Sequence, residues 1–496
     1  MRGRLAFRQG NRTGEAGSHK GSCPRESLTI LAEAPAFVLL AGCTTFLYAL
    51  EKQMPFSIAC ATGFLVVLFL VFSGTTSPPP GFAGEVFVIT GVLLLFFLSS
   101  IVRLEVTPPD DGSFKLDTTG TIVTERAWGK RRVVVVKTDE GTFLCKLPAT
   151  KVFREGDQAR ITGNLHFFKP NLSSDGFDED TYWRARGVLG VVRQVEISKC
   201  GFSTFGFPAW RSFLKERILL RLPKLTRAYV LAAWLGKRDP DLADLHRQWG
   251  TSHLLAISGL HVGIVALGLK RIFRRGVLVP SFFMWAYVVI AGGAASAIRA
   301  ALMFQLAFAG NLLGRPVRAV NAVPAAAVLI LFWRPWWFWD LGWRLSVVAA
   351  LVLGSLAGTR DNRFLWAAPV LVWYMTGAFI ARAFEEVPLV GLIMNIFAVP
   401  FFSVFLPVLS VAALPVLAGV PGASFAVYIA EGMLRFYHYC AQSIAMVISF
   451  KAGVEFFPAV AVAAILLFII LKACGMKGWS PVLAAICAAV FGGVLL

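Results

Sequence analysis

The chain has 496 residues, of which 56% are hydrophobic and only 16% are charged, and its formal net charge at pH 7 is +19. Soluble domains carry about 25% charged residues, so this composition is typical of a membrane protein and excludes a soluble globular enzyme, a disordered chain and a small disulfide-rich scaffold. The excess of Lys and Arg is typical of cytoplasmic loops, and a polyanionic ligand is the alternative reason for it.

A polar, basic segment, residues 1–33, precedes three apolar runs. It lacks the short apolar core and the small-residue cleavage site of a signal peptide, so we expect an uncleaved cytoplasmic tail. Residues 34–102 are predicted to form three transmembrane helices, because about 20 apolar residues cross the hydrocarbon core of a bilayer. Three crossings from a cytoplasmic tail place residues 103–205 outside the cytoplasm.

Residues 103–205 differ in kind from the apolar sequence around them. Short runs rich in Val, Thr, Ile and Phe alternate with turn signals, which predicts five strands and a small β-barrel or sandwich. Five is the strand count of an OB-fold. The predicted strands are Thr119–Arg126, Arg131–Lys137, Thr142–Leu147, Gln158–Leu165 and Val188–Ile197.

Cys145 and Cys200 are the two cysteines of this segment. In an oxidising compartment, a disulfide between them would stabilise a small domain by about 2–4 kcal/mol. Two buried thiols explain the same residues equally well.

The remaining chain divides into two parts. Residues 206–251 include a basic amphipathic stretch, Trp210–Gly236, whose Trp, Leu and Arg content favours helices lying in the bilayer interface. Residues 252–496 are nearly continuous apolar sequence, including a run at 457–472, and predict a bundle that brings the total to about 11–13 spans.

Polar residues inside apolar helices are costly, and they are therefore functional candidates. His253, Ser258 and His261 lie in one such stretch, where a continuous helix would place the two histidines about 80° apart. Gly259 and Gly263 have the GxxxG spacing that lets a neighbouring helix approach closely. A tight helix crossing with hydrogen-bonded core histidines is the alternative explanation.

Further polar groups follow along the chain. Arg299 lies in an apolar stretch, and Arg344 lies four residues after Asp340, a spacing that would allow the two to pair. A stripe at i, i+4, i+7 and i+11 would share one helix face, facing either a lumen or the bilayer interface. Its members are Glu431, Arg435, His438 and Gln442.

The string HLLAISGLHVG, residues 253–263, resembles the signature of the ComEC family of competence proteins, the inner-membrane channels for DNA uptake in natural transformation. Further blocks resemble family elements in the same order along the chain. These blocks are Gly176–Gly190, Gly292–Met303, Asp340–Val347 and Asn395–Pro400. Arg344 departs from the family pattern, which usually has Gln at this place.

The resemblance implies a polytopic α-helical protein of the bacterial inner membrane, with an inserted extracytoplasmic OB-like β-barrel. Its expected activity is to pass single-stranded DNA into the cytoplasm, without catalysis and without a cofactor or metal. His253, Ser258, Gly259 and His261 would shape the core helix, and Arg299 and Arg344 would favour the passage of phosphates. Asn395 and Pro400 would form a helix break near the path.

The resemblance also implies partners. These are single-stranded DNA, a receptor that delivers DNA at the outer face, a nuclease, cytoplasmic single-strand binding proteins and membrane lipid. The sequence has no GxxxxGK[ST] loop, so a cytoplasmic ATPase is a further expected partner. The metallo-β-lactamase-like domain of many family members has no counterpart before Leu496, so we expect a separate nuclease.

DNA capture outside the membrane would require positive charge and flat aromatic surfaces, because phosphates supply salt-dependent affinity and unpaired bases stack on rings. Two groups of residues in the β-domain fit this requirement, and a solvated structural face is the alternative for both. They are Lys130, Arg131 and Arg132 at a hairpin tip, and Lys169, Trp183, Arg184 and Arg186 in a mixed patch.

Two other functions are open from the sequence. A secondary transporter of a small solute is consistent with many Gly- and Pro-interrupted spans, but it predicts an inverted repeat that the sequence lacks. An intramembrane serine protease would use Ser258 with His438 as the distant histidine, although Ala256 stands where such enzymes need Gly.

Overall fold

The computed structural model describes residues 34–72, 82–104, 114–128, 131–148, 150–169, 178–203, 206–257, 259–273, 276–315, 317–357 and 368–457. These residues are mostly helical, and one closed five-stranded barrel interrupts the helices. The predicted tail, residues 1–33, lies outside the described residues, as does the apolar run 457–472 beyond its first residue.

Three helices precede the barrel: α1 (Pro35–Glu51), α2 (Phe56–Phe72) and α3 (Phe82–Leu104). A Cβ atom on Gly63 of α2 would lie 2.8 Å from the backbone oxygen of Gly42 on α1. Such close backbone approach is what small residues permit when apolar helices pack together. The apolar runs at the start of the chain therefore form a packed helical group.

The barrel closes through the strand order β1-β2-β3-β5-β4, with β4 pairing to β1. All neighbours are antiparallel except β3 and β5, which are parallel. The prediction of five strands in a barrel is confirmed. The strands are β1 (Phe114–Trp128), β2 (Arg131–Thr138), β3 (Thr142–Pro148), β4 (Asp157–Phe167) and β5 (Gly190–Phe202).

The four consecutive valines of β2 are buried on both faces of the strand. Val134 and Val136 belong to the barrel interior, whereas Val133 and Val135 pack outside it against Trp183. Trp183 lies on a short helix, α4 (Glu179–Ala185), which the sequence analysis did not predict. Because side chains alternate along a strand, a run without alternation indicates that both faces are covered.

The predicted disulfide is wrong: Cys145 is a buried free thiol and Cys200 is an exposed one. Cys145 on β3 pairs in register with Val192 on β5. Cys200 lies eight residues further along β5, about 26 Å at 3.3 Å per residue. A disulfide requires Cα atoms less than about 7 Å apart, so strand register excludes the bridge.

The two thiols should therefore differ in reactivity. Burial raises the pKa of Cys145 to about 12, and the thiolate is the reactive form. We expect maleimide labelling of the folded protein to lose one site in Cys200→Ser and none in Cys145→Ser, measured by mass spectrometry. A labelled-thiol count that falls equally in both variants would contradict this arrangement.

The segment after the barrel, predicted as interfacial helices, forms α5 (Phe207–Arg221), α6 (Lys224–Leu235) and α7 (Pro240–Gln248). Most of α6 is buried, including Tyr229 and Leu231. This is a correction, because an interfacial helix exposes its polar face, whereas α6 packs inside an apolar cluster with the helices near the end of the described chain.

The rest of the described chain is helical apart from a short hairpin. A 3₁₀ turn (Ser252–Leu254) precedes α8 (Gly259–Ile272). A second 3₁₀ turn (Pro335–Trp339) follows the helix that ends at Trp333. The helices are α9 (Leu278–Ile290), α10 (Ala295–Leu312), α11 (Ala319–Trp333), α12 (Leu341–Ala357), α13 (Ala368–Phe384), α14 (Val390–Ala418) and α15 (Ser424–Val447), and the hairpin pairs β6 (Glu386–Pro388) with β7 (Lys451–Gly453).

Two helices of the described chain are long and apolar enough to cross a membrane, Ala83–Leu104 and Val390–Ala418. Six further apolar helices have between 10 and 17 residues. About 17 residues is the lower limit for a spanning helix. By length and composition, the structure is consistent with a membrane protein.

Candidate functional site

The signature segment is not one continuous helix, which corrects the predicted geometry of its histidines. His253 lies in the 3₁₀ turn, and α8 begins only at Gly259, so His261 alone is on the helix. The exposed His253 nevertheless lies within electrostatic range of the buried His261. Ser258 lies outside the described residues.

The predicted close helix approach occurs within the chain. A Cβ atom on Gly259 would lie 3.5 Å from Nη2 of Arg299, and one on Gly263 would lie 3.3 Å from the ring of Phe304. Both neighbours are on α10. Ser296, also on α10, donates a 2.6 Å hydrogen bond to the carbonyl oxygen of Ile257. The signature segment is therefore fixed against α10.

Arg299 is a buried cation that has only neutral partners. Its side chain is 6% exposed, and its Nε donates a 2.9 Å hydrogen bond to Oγ of Ser346. Its Nη1 lies 3.5 Å from the sulfur of Met303. Among the described residues, no carboxylate lies within ion-pairing distance of Arg299. An uncompensated buried charge costs several kcal/mol, which makes Arg299 a candidate for contact with an anion.

Arg344 differs from Arg299 because its charge is neutralised. Nη2 lies 2.6 Å from Oε2 of Glu51 on α1, and Nε donates to the carbonyl oxygen of Phe338 at 2.7 Å. The predicted pairing with Asp340 is wrong, because Asp340 pairs with Arg186 of the barrel segment at 2.7 Å. The pairs Arg344–Glu51 and Arg186–Asp340 each connect elements that are distant in sequence. Spacing along a single helix does not reveal such pairs.

Two members of the predicted polar stripe on α15, Glu431 and His438, contact α6, whereas Arg435 is exposed. The buried carboxylate of Glu431 accepts hydrogen bonds from the backbone N–H of Leu225 at 3.3 Å and of Thr226 at 2.8 Å. These are first-turn donors of α6, which have no partner inside their own helix. Arg435 lies 3.6 Å from Glu431. Glu431 therefore caps a helix, and the sequence analysis missed this role because the partner is 205 residues away.

A hydrogen-bonded cluster joins α6, α7 and α15. Oη of Tyr229 lies 2.7 Å from Nε2 of His246 and 2.9 Å from Nε2 of His438. Nδ1 of His246 lies 2.8 Å from Oγ1 of Thr251, next to the signature segment. Of these four residues, only His438 was a candidate from the sequence; Tyr229, His246 and Thr251 were not. The rarity of histidine in this chain was the available signal, but it was weak because His246 lies in a polar stretch.

The expected helix break at Asn395 and Pro400 is absent, because α14 continues through both residues. Pro400 is exposed, whereas the side-chain oxygen of Asn395 is buried and has no hydrogen-bond partner among the described residues. A proline lacks only one backbone donor, and helices packed in an apolar environment accommodate it without ending.

The predicted hairpin-tip group is only partly available for binding. Arg131 is exposed at the start of β2, but Arg132 pairs with the buried Glu125. Lys130 lies outside the described residues.

Lys169 belongs to the second predicted group, and its backbone N–H donates to Asp180 at 3.1 Å.

The predicted basic and aromatic patch is used largely in internal contacts. Trp183 is 2% exposed and Arg184 is 9% exposed, so neither offers a free surface, which corrects the predicted patch. Arg184 lies over the ring of Trp336 in the second 3₁₀ turn, and the indole N–H of Trp337 in that turn donates to the carbonyl oxygen of Ala185 at 2.5 Å. This side of the barrel is therefore attached to the helices.

A buried carboxylate forms a second attachment between barrel and helices. Glu155, between β3 and β4, lies 2.9 Å from Nε of Arg211 on α5 and 2.9 Å from Nζ of Lys237 after α6. Burial alone would raise the pKa of Glu155, but the two cations outweigh burial and hold that pKa below its usual range. Arg211 also donates to the backbone carbonyl oxygens of Leu235 and Ile290.

Comparison with known proteins identifies the region that holds these residues. A family model described as "Competence protein" matches residues 235–479. The chain belongs to the competence protein family. The matched Competence domain includes the signature segment, Arg299, Arg344 and α14, whereas the barrel precedes it.

Three curated relatives carry similar sequences. ComE operon protein 3 of Bacillus subtilis (strain 168) is 28% identical over 37% of this chain and 25% of its own length. Competence protein ComA of Neisseria gonorrhoeae is 27% identical over 66% of this chain and 51% of its own length. Recombination protein 2 of Haemophilus influenzae is 29% identical over 35% of this chain and 21% of its own length. The chain thus spans about half or less of each relative.

No solved structure matches this competence protein. Within the described residues, no group of three or more His, Cys, Asp or Glu side chains could hold a metal ion.

Proposed function

We propose that this protein is a polytopic channel of the bacterial inner membrane that passes single-stranded DNA into the cytoplasm during natural transformation. The names of two relatives, a competence protein and a ComE operon protein, support this function. The observation that carries the proposal is Arg299, a buried guanidinium beside the signature segment that has no carboxylate partner among the described residues.

The membrane location is supported by the apolar helices. Besides the two long candidates, helices of 17 residues such as α1 and α2 reach the lower limit for a span. In the proposed topology, the tail is cytoplasmic and the OB-like barrel is extracytoplasmic. Its strand order, with only β3 and β5 parallel, is consistent with an OB-fold.

A DNA strand carries one negative charge per nucleotide and cannot cross hydrocarbon, so it needs a polar path. Within the described residues, the polar groups form separate local clusters around Arg299, Arg344, Glu431 and Tyr229. Passage therefore requires α8 and α10 to separate, which would expose Arg299 to the phosphates. The other three clusters hold the surrounding helices together.

The proposed partners follow from this activity. A receptor delivers DNA at the outer face, a separate nuclease removes one strand, and a cytoplasmic ATPase with single-strand binding proteins draws in the other.

Uptake of fluorescent DNA tests the proposal directly. In a deletion strain, we expect entry of label into the cytoplasm to be lost and to return with the wild-type chain. His253→Ala and His261→Ala should restore less, with membrane insertion checked in parallel. Arg247→Gln, an exposed arginine paired with Asp244, is the matched control. Uptake that persists unchanged after deletion would reject the channel.

A further inference from the structure

Three arginines gather around one tyrosine where the barrel meets the Competence domain. Nη2 of Arg126 donates a 2.7 Å hydrogen bond to Oη of Tyr182, and the guanidinium of Arg186 lies 3.6 Å from the centroid of the Tyr182 ring. Arg238 lies within electrostatic range of Arg126, Tyr182 and Arg186. We call Arg126, Tyr182, Arg186 and Arg238 the seam cluster.

The seam cluster carries more positive charge than its neighbours neutralise. Asp340 pairs with Arg186 at 2.7 Å. Within the described part of the chain, neither Arg126 nor Arg238 forms an ion pair with a carboxylate. The Nε of Arg126 is also buried without a hydrogen-bond acceptor. Like charges held together repel, so the cluster gains stability when an anion binds.

Aromatic rings fix the orientation of the arginines in advance. The guanidinium of Arg126 lies 4.9 Å from the ring centroid of Trp128 and 4.7 Å from that of Trp183. A guanidinium held over aromatic rings keeps a fixed position and has its N–H donors in its own plane. Because these side chains are already ordered, binding of an anion loses little conformational entropy.

We propose that the seam cluster binds the phosphate backbone of single-stranded DNA. The cluster joins β1, α4 and the first residues of the Competence domain, since Arg238 lies within the matched range 235–479. This inference rests on the proposed function and adds to it a point at which the strand passes from the barrel to the helices. Of the patch predicted from sequence, only Arg186 takes part.

A lipid headgroup is the competing anion. The cluster holds three guanidiniums and one paired carboxylate, Asp340, so it can take more negative charge than the single phosphodiester of a phospholipid carries, whereas a DNA strand supplies one phosphate per nucleotide.

The test uses the full-length protein in phosphatidylcholine nanodiscs and a fluorescent oligothymidylate of about 12 nucleotides. Anisotropy is recorded over a range of salt concentrations. We expect Arg238→Gln to weaken binding about tenfold and to reduce the slope of log K against log salt by about 0.7, the contribution of one phosphate contact on a single strand. Tyr182→Phe, which keeps the ring but removes the hydroxyl that holds Arg126, should weaken binding less.

Arg247→Gln is again the matched control, and its affinity and salt slope should equal those of the wild type. Equal behaviour of Arg238→Gln and Arg247→Gln would overturn the inference. So would a loss of affinity for phosphatidylglycerol vesicles in Arg238→Gln with unchanged oligothymidylate binding. The proposed function fails by a different result, unchanged DNA uptake after gene deletion, whereas this binding measurement needs no cells.

Discussion

Arg299→Met should abolish DNA uptake while leaving the protein at least as stable as the wild type. The substitution removes a buried charge that has only Ser346 and Met303 as partners. Replacement of buried ionic groups by apolar ones is often neutral or stabilising by about 1–4 kcal/mol. Loss of this cation removes a charge contact of about 2–5 kcal/mol, so uptake should fall by about 30-fold or more.

Arg344→Met is the contrasting variant, because it removes the same kind of side chain from a neutralised pair. It leaves the half-buried carboxylate of Glu51 without its cation, so we expect a loss of about 3 kcal/mol of stability, the lower end of the range for a buried pair. Thermal unfolding in detergent and DNA uptake are measured together on both variants. Arg299→Lys, which keeps the charge, should retain part of the uptake. Normal uptake in Arg299→Met would refute the role of Arg299.

Glu155→Gln should destabilise the protein by about 3–5 kcal/mol, because two cations, Arg211 and Lys237, lose their shared carboxylate inside the protein. Arg211 also holds the ends of α6 and α9 through backbone oxygens. We therefore expect the barrel to separate from the helices at a lower temperature, measured by thermal unfolding and by limited proteolysis at the joint.

The effect of Glu155→Gln should depend on pH with a defined sign. The pKa of Glu155 is lower in the folded protein than in the unfolded chain, so its contribution is present at neutral pH and is lost as pH falls through the folded value. The wild type and the variant should thus converge in acid. Asp117→Asn removes an exposed pair with Arg160 and should change the unfolding temperature little. Equal losses in the two variants would contradict a buried joint at Glu155.

Several features were predictable because they depend on local pattern. Alternation and turn residues predicted the five strands; four observed strands extend beyond their predicted bounds, and β5 begins and ends later than predicted. Apolar run length predicted α2 and α3, and the signature segment predicted the family. The helix α4 was missed because its residues, from Glu179 to Ala185, are polar and aromatic, and only the cap from Asp178 to Thr181 marks its start.

Sequence alone determined the composition class, the barrel and the apolar helices, and it made Arg299 a candidate, because each depends on residue type and on spacing within one segment. Tertiary structure alone decided which charges are neutralised. Arg344 finds Glu51, Asp340 finds Arg186, and Glu431 caps α6 across about 200 residues. Electrostatic pairing depends on distance in space, and chain folding sets that distance independently of separation along the sequence.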